Sequence, residues 1–342
     1  MTATSRELVL QTLNFQSPAR APRQLWTLPI AAQTYPDELA AILRDFPADF
    51  EGVSGHRRQS AATRGNPHQI GEYVDEWGCT FINIQPGVIG EVKTPLVRDW
   101  SADAGKVHVP VEWLTIDRDA INRDCAKTDK FTQAGCCPRP FEQLQFIRTT
   151  EELYVDLMDR SAAFLEFLQR MHRFYTSLLT AWAQTDVDGL VFMDDWGSQR
   201  SLLISPAMWR DVFKPMYRDY VRIAHAAGKK IFMHSDGYIL DIYPDLVEIG
   251  VDAVNSQIFC MGIEALKPFA GRITFWGEID RQHLLPDGTP AQIDQAVRQV
   301  HAALWAKGGC FAQCEFGAAA KPQNVRQVFA SWDTLSRKDG QC

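Results

Sequence analysis

Five short apolar runs in the C-terminal half of the chain are each followed at once by polar or acidic side chains. The runs have the length of buried strands, and groups at the ends of parallel barrel strands gather on one rim. Five successive occurrences favour a functional rim over solvated loops. The residues that follow the runs are Asp194 and Asp195; His234, Ser235 and Asp236; Asn255 and Gln257; Trp276, Glu278 and Asp280; and Gln313, Cys314 and Glu315.

The segment His234-Ser235-Asp236 is the most specific of these motifs. Positions i and i+2 of an extended segment face the same side, so His234 and Asp236 are expected to project together. With the thiolate of Cys314 they would make a zinc site with an open fourth position. The alternative is that Asp236 caps the next helix and His234 only bonds to it. The sequence leaves open whether these residues bind a metal ion.

Asp194 and Asp195 are predicted to supply a general acid or base, or to bind a cationic or hydroxylated substrate. One of them could instead cap a turn before Ser205-Pro206, a typical helix start. Glu278 completes the predicted catalytic set. The residues predicted to bind substrate are Arg23, Trp26, Trp196, Gln257 and Trp276.

The elements that position these residues follow a repeated pattern. Four times in succession a helix closes on glycine and a short apolar strand follows, as when a predicted helix over Ser205–Ala227 ends at Gly228. Alternating helices and buried strands predict an α/β fold with a parallel sheet covered on both faces. Eight strands can be found, beginning near residues 24, 50, 131, 190, 231, 253, 273 and 311.

Eight strands in one unit predict a (β/α)₈ TIM barrel. An open doubly wound sheet is the alternative, but the chain has no early glycine-rich phosphate loop. No linker is evident, so residues 1–342 are predicted to form a single domain. That domain has an N-terminal helix and a hairpin-like excursion near residues 73–92.

Composition excludes several classes of function. The net charge is −7 and no block is strongly basic, which argues against a nucleic-acid partner. No apolar run reaches the length of a membrane span, and the first residues lack a secretory apolar core, so a cytoplasmic protein is expected. Eight cysteines in a chain of this size do not indicate a disulfide framework.

Several segments resemble the uroporphyrinogen decarboxylase superfamily, most closely its cobalamin-dependent methyltransferase branch. They are the opening SRELVLQTLNFQSPARAPRQLW, the block FMDDWGSQRSLLISPAMWRDVFKPMYRDYVRIAHAAGKKIFMHSDGYI, and the pair IGVDAVNSQ and TFWGEIDRQHLLPDGTP. The resemblance implies a (β/α)₈ barrel. It also implies methyl transfer between a small molecule and methylcobalamin. No cobalamin-binding Asp-x-His-x-x-Gly motif is present, so the corrinoid is expected on a separate protein.

The resemblance also implies metal ligands. Methyltransferases of this branch that methylate coenzyme M hold zinc through a His-x-Cys pair and a distant cysteine. His234 corresponds to the histidine and Cys314 to the distant cysteine, whereas Asp236 stands in place of the middle cysteine. An aspartate keeps an anionic ligand but makes it harder, which weakens the case for thiol activation.

Two alternatives to a methyltransferase are a decarboxylase of the uroporphyrinogen type and a non-catalytic binding barrel. The Arg-Gln-Ala-Gly-Arg motif of the decarboxylase is replaced here by Arg23-Gln24-Leu25-Trp26, which lacks the second arginine. A rim rich in carboxylates would also repel a polycarboxylate substrate. The sequence leaves open whether the barrel forms a homodimer.

Overall fold

A computed structural model describes residues 3–339. Eight parallel strands alternate with helices, and an antiparallel excursion of three strands is inserted after the second. In chain order the strands are β1 (Arg23–Thr27), β2 (Phe50–Val53), β3 (Gly71–Val74), β4 (Thr80–Asn83), β5 (Glu91–Val92), β6 (Phe131–Ala134), β7 (Gly189–Met193), β8 (Lys230–Ser235), β9 (Ala253–Ser256), β10 (Thr274–Phe275) and β11 (Ala312–Phe316).

Helices precede, separate and follow these strands, with 3₁₀ turns at Ala104–Lys106, Val111–Leu114, Leu240–Ile242 and Lys267–Phe269. The α-helices are α1 (Ser5–Leu13), α2 (Pro29–Thr34), α3 (Pro36–Asp45), α4 (Trp100–Asp103), α5 (Arg118–Ala126), α6 (Pro140–Arg148), α7 (Thr150–Asp159), α8 (Ala162–Ala183), α9 (Pro206–Val212), α10 (Lys214–Ala226), α11 (Tyr243–Ile249), α12 (Ile258–Met261), α13 (Ile263–Leu266), α14 (Leu284–Asp287), α15 (Pro290–Leu304) and α16 (Pro322–Asp339). No described helix is long and apolar enough to cross a membrane.

The parallel strands close into a barrel in sequence order. Six pair in the order β10-β9-β8-β7-β6-β2, and β1 pairs with β11. Phe275 bridges to Cys310, which joins β10 to the start of β11. The amide of Asp49 donates to the carbonyl of Arg23 at 2.9 Å, which joins the segments leading into β2 and β1. The predicted (β/α)₈ TIM barrel is therefore confirmed.

Alternate residues of each strand face the barrel interior. Phe50, Phe131, Phe232 and Phe311 pack there as one aromatic layer, with ring centroids 5.1–6.4 Å apart. The residues between them pack outward against the helices. Because side chains alternate along a strand, the inward set is fixed by counting in twos from these phenylalanines.

Helix boundaries differ from the sequence prediction where proline intervenes. The helix predicted over Ser205–Ala227 is two helices, α9 and α10, with Pro215 in the first turn of the second. Proline is favoured there because its missing N–H needs no helical partner. Gly250 ends α11 with φ +89°, a left-handed conformation that glycine adopts without strain.

The excursion between β2 and β6 is larger than the predicted hairpin. Its strands β3, β4 and β5 form an antiparallel sheet spanning Gly71–Val92. Trp77, between β3 and β4, is buried edge-on against Phe174 of α8 at 5.5 Å. Arg57 donates to the carbonyl of Gly135, just after β6, at 2.8 Å. These contacts hold the excursion beside the C-terminal ends of the strands.

Candidate active site

Three side chains converge at the C-terminal ends of β7 and β8. Asp195 follows β7, His234 lies in β8 and Asp236 follows β8; all three are on the inward face. The Nε2 atom of His234 is 3.7 Å from Oδ1 of Asp195 and 3.7 Å from Oδ1 of Asp236. One ligand atom from each residue lies within 4.8 Å of the other two. We call Asp195, His234 and Asp236 the acidic triad.

Hydrogen bonding fixes which ring nitrogen of His234 carries the proton. The Nδ1 of His234 is 2.7 Å from Oδ1 of Asn255, its neighbour in the register of β8 and β9. The Nδ2 of Asn255 donates to the carbonyl of Trp276, an acceptor only. The oxygen of Asn255 must therefore face the ring, so Nδ1–H donates to it. In the neutral imidazole, the lone pair of Nε2 then points to the two aspartates.

The two carboxylates of the acidic triad are oriented but incompletely bonded. The amide of Asp236 donates to Oδ1 of Asp195 at 2.9 Å. The Oδ1 of Asp236 is buried without a hydrogen-bond partner. Burial raises the pKa of Asp195, and the neighbouring His234 opposes that shift. A ring lone pair facing an unpaired buried oxygen fits a divalent cation, and the oxygen-nitrogen donor set suits zinc or a harder ion.

Arg281 links the acidic triad to two further carboxylates. Its guanidinium forms ion pairs with Asp236, with Glu315 (Nη1 to Oε2, 3.2 Å) and with Glu278 (Nε to Oε2, 3.4 Å). Arg281 lies in the loop after β10, where the sequence predicted no role for it. Three carboxylates at the mouth of the barrel thus share the guanidinium of Arg281.

Glu278 is the most isolated ionisable group of the mouth. Its side chain is 2 % exposed, and neither carboxyl oxygen has a hydrogen-bond partner. Burial raises its pKa to about 8, and Arg281 opposes the shift. A cavity of 330 Å³ lies beside it, lined also by Gln257 and Phe259. Gln257 is thus placed where a small molecule could contact it, whereas the carboxyl oxygens of Glu278 are buried.

The two tryptophans predicted to bind substrate lie at different depths. The ring of Trp26, on β1, is 5.2 Å from the ring of His234 and 5.2 Å from that of Trp276. Trp276 is only 2 % exposed, and its indole N–H donates to Gln24. Trp26 therefore forms a wall beside the acidic triad, whereas Trp276 belongs to the interior beneath it.

Cys314 does not join the predicted ligand set. Its side chain is fully buried in the core between strands and helices, together with Ala312 and Phe316. The inward residue of β11 at this level is Glu315, which pairs with Arg281. A slip of one residue along a strand moves a side chain to the opposite face. The acidic triad contains Asp195 in place of the predicted thiol.

Asp194 is not at the mouth either. It is fully buried on the outward side, and its oxygens accept from the amides of Phe141 (3.1 Å) and Glu142 (2.8 Å). These amides belong to the first turn of α6, so Asp194 bonds the helix N-terminus. The hydroxyl of Tyr217 donates to the same carboxylate at 2.5 Å. The predicted catalytic role is corrected to a structural one.

Trp196 and Arg23 likewise serve the structure. Trp196 is fully buried, stacks on Phe141 at 4.1 Å and donates its indole N–H to Tyr217 at 2.8 Å. Arg23 begins β1, at the barrel end opposite the mouth, and its Nη2 lies 2.6 Å and 2.8 Å from the carboxylate oxygens of Asp333. Neither of the two side chains predicted to bind substrate therefore lies at the mouth of the barrel.

Comparison with known proteins gives a family and a fold. The family model described as uroporphyrinogen decarboxylase (URO-D) matches residues 75–334, well over half of the chain. No curated protein matches in sequence. A methyltransferase from Methanosarcina mazei is similar in structure, with a TM-score of 0.67 and 14% identity, over 97% of this chain and 99% of that one.

A weaker structural similarity is to the 3-keto-D-glucoside 4-epimerase YcjR from E. coli. It has a TM-score of 0.41 and 14% identity, and covers 63% of this chain and 84% of that one.

The family match agrees with the sequence resemblance and with the closed barrel observed here. The chain belongs to the uroporphyrinogen decarboxylase family.

Proposed function

We propose that this enzyme is a methyltransferase that moves a methyl group between a small substrate and a separate corrinoid protein, assisted by zinc at the acidic triad. The observation that carries the proposal is the triad's position at the mouth of this barrel, with the lone pair of His234 aimed at two carboxylates. The methyltransferase from Methanosarcina mazei, similar over nearly the full length of both chains, supports this reading.

Asp195, His234 and Asp236 would hold the metal. When bound, zinc would act as a Lewis acid on the heteroatom of the substrate. Asn255 orients the ring of His234 through Nδ1, so that Nε2 would be the nitrogen that binds the metal, as is usual for metal-binding histidines whose other ring nitrogen is hydrogen-bonded. The ligand set lacks a thiolate, and oxygen ligands suit metal ions harder than zinc. Binding of a harder metal ion should therefore be tested in parallel with zinc.

The residues beside the triad would bind the substrate and move its proton. Gln257 lines the cavity, and its Oε1 accepts from the amide of Gly237 at 3.3 Å, which leaves its NH₂ group for a ligand. A carboxyl group whose pKa lies near the working pH suits general acid-base catalysis. Glu278, with its pKa raised to about 8, would accept the proton lost by a heteroatom being methylated, or return it in the reverse direction.

Methyl transfer of this kind is a heterolytic exchange. The cobalt–carbon bond of the corrinoid breaks and both electrons stay on cobalt, while a lone pair of the substrate heteroatom forms the new bond to carbon. The corrinoid is proposed to arrive on a partner protein that presents it to the mouth. Trp26, beside His234, would form one wall of the reaction space.

The family's name supports decarboxylation of a porphyrinogen as the second candidate. The charges at the mouth oppose it. Arg281 is already shared by three carboxylates, and Arg139 pairs with Glu76 at 3.3 Å and Glu142 at 3.4 Å. A substrate with many carboxylates would meet excess negative charge, which costs binding energy when uncompensated.

The test is an anaerobic assay with zinc-loaded protein and free methylcobalamin. Thiols, amines and phenols serve as acceptors, and the loss of methylcobalamin is followed by its visible absorbance. His234→Ala should abolish turnover, whereas Asp37→Asn on the exposed side of α3 should leave it unchanged. Carbon dioxide release from uroporphyrinogen by the same preparation, with no methyl transfer to any acceptor, would replace the proposal with the second candidate.

A further inference from the structure

Arg57 is a half-buried guanidinium at the rim of the barrel. It lies in the loop after β2, and its Nη1 donates to the carbonyl of Gly135, just after β6, at 2.8 Å. Strand β6 lies between β2 and β7 in the sheet, so Arg57 is on the same rim as the acidic triad. The ligand inferred for this guanidinium rests on the proposed function and deepens it, because it names the class of substrate.

The protein holds this guanidinium in one place. Its face stacks on the indole of Trp113, with 3.7 Å between Cζ and the ring centroid. The backbone of Arg57 forms an antiparallel bridge with Ile116, and the amide of Arg58 donates to the carbonyl of Thr115 at 3.0 Å. A planar charged group that is fixed in advance loses little side-chain entropy when a ligand binds.

One edge of this guanidinium has no partner. The Nε and Nη2 atoms of Arg57 form no hydrogen bond with any described residue, and both atoms are open to solvent. No carboxylate of the described residues forms an ion pair with Arg57. Burial lowers the pKa of Arg57, and the nearby Glu76, which pairs with Arg139 at 3.3 Å, opposes that shift only in part. The positive charge of Arg57 is therefore half-buried without an anion to balance it.

The same edge of other arginines in this chain holds a carboxylate. Nε and Nη2 of Arg23 donate to Oδ1 and Oδ2 of Asp333, at 3.2 Å and 2.8 Å. Nε and Nη2 of Arg148 donate to Oδ2 and Oδ1 of Asp156, at 2.8 Å and 3.4 Å. Two parallel N–H groups match the two oxygens of a carboxylate. The edge that Arg57 leaves open to solvent is thus one that a carboxylate fits.

We infer that Arg57 binds the carboxylate group of a small substrate through Nε and Nη2. A carboxylate supplies the two acceptors and the single negative charge that this edge lacks. A neutral alcohol supplies an acceptor without charge, and an ammonium group supplies no acceptor. A phosphate would bring a second negative charge toward Glu76, which one guanidinium does not balance. A substrate with many carboxylates would meet the same cost, so one carboxylate is expected in each substrate molecule.

The test compares benzoate, phenyl phosphate and benzyl alcohol, which share one ring and differ in the polar group. Isothermal titration calorimetry is performed on the full-length protein after chelation, so that no anion can bind through a metal, and is repeated on zinc-loaded protein. In the chelated protein, benzoate should bind at least about tenfold more tightly than benzyl alcohol, because hydrogen bonds between charged groups are stronger. Phenyl phosphate should bind more weakly than benzoate.

Arg57→Gln should reduce benzoate affinity about tenfold or more and change benzyl alcohol affinity much less. Arg58→Gln is the matched control, because it removes the same charge from the next residue, which is exposed, and it should change neither affinity. Arg57→Lys keeps the charge without the paired N–H groups, and its benzoate affinity should fall between those of wild type and Arg57→Gln.

Unchanged benzoate affinity in Arg57→Gln, or phenyl phosphate binding as tightly as benzoate, would overturn the inference. If Arg57→Gln does not fold, Arg57→Lys and the wild-type series decide the matter. Benzoate affinity equal to that of benzyl alcohol in chelated wild-type protein would overturn the inference without any variant.

Binding is measured without corrinoid and without turnover, so this result is separate from the methyl-transfer assay. Methyl transfer to an acceptor, together with no preference for benzoate over benzyl alcohol, would refute the carboxylate site and keep the methyltransferase. A benzoate preference that Arg57→Gln abolishes, with no methyl transfer to any acceptor, would keep the carboxylate site and refute the proposed reaction.

Discussion

Replacing Asn255 by leucine tests how the candidate metal centre is assembled. Asn255 is fully buried, accepts from Nδ1 of His234 at 2.7 Å and donates to the carbonyl of Trp276. Leucine has a similar size and can do neither. The imidazole would lose the bond that fixes its orientation and its tautomer, so Nε2 would no longer be held toward the two aspartates.

The size of the effect can be taken from comparable contacts in other metal sites. Removing the hydrogen-bond partner of a metal-binding histidine typically lowers metal affinity 10–100-fold, which corresponds to about 1.4–2.7 kcal/mol. The carbonyl of Trp276 would also be left unpaired in the interior, at a cost of about 1–3 kcal/mol of folding stability. Asn255→Leu should therefore show both a weaker metal site and a lower melting temperature.

The assay is competition for zinc against a chromophoric chelator, with thermal unfolding measured on the same samples. Asn324→Leu is the matched control, because Asn324 is equally buried and its amide bonds the carbonyls of Leu284, Leu285 and Gly288 away from the triad. It should lower stability and leave zinc affinity unchanged. Wild-type zinc affinity in Asn255→Leu would refute the tautomer argument.

Three further predictions concern the mouth and its surroundings. Cys314→Ser should leave bound zinc unchanged by elemental analysis, because the thiol faces the helices, and should cost about 1–3 kcal/mol in urea unfolding because the buried hydroxyl gains no partner. Asp236→Asn should weaken zinc binding in the same competition assay by more than Asn255→Leu does, and a smaller effect would argue against direct ligation. Burial raises the pKa of Glu278 from 4.5 to about 8, so the folded state holds the proton of this carboxyl more tightly than the unfolded chain does. This difference stabilises the fold fully below pH 4.5, and the contribution is lost as the pH rises through about 8. Glu278→Gln should therefore raise the melting temperature more at about pH 9 than at about pH 6, and an equal effect at both would contradict the buried-carboxyl account.

The fold could be predicted because its signals are local. Helices that end on glycine and short apolar strands recur along the chain, and both depend on neighbouring residues only. Closure of the barrel follows from the number of strands and the right-handed crossovers between them. Even the error in the helix over Ser205–Ala227 is local, since Pro215 marks the point where the second helix begins.

The site residues were harder to predict because both faces of each strand are buried. Apolar residues then occupy inward and outward positions alike, and the sequence does not show which alternate set faces the interior. Asp194, Trp196 and Cys314, like Arg23, fall on the outward set. Counting in twos from Phe232 gives His234 and Asp236, and counting from Phe311 gives Gln313 and Glu315.

Two features needed three-dimensional information. Asn255 faces His234 because of the register between β8 and β9, which no local pattern specifies. Arg281 meets Asp236, Glu278 and Glu315 because its loop turns back over the mouth. Its only signal in the sequence is a cation amid the acidic residues of the segment GEIDRQH, and that signal is weak without the fold.

The central claim is that a divalent metal binds the acidic triad, and anomalous diffraction from crystals soaked in zinc tests it most directly. One strong peak is expected within bonding distance, about 2.0–2.2 Å, of Nε2 of His234 and of oxygens from Asp195 and Asp236. No peak at that place at saturating zinc, or a peak bonded instead to the sulfur of Cys314, would contradict the claim.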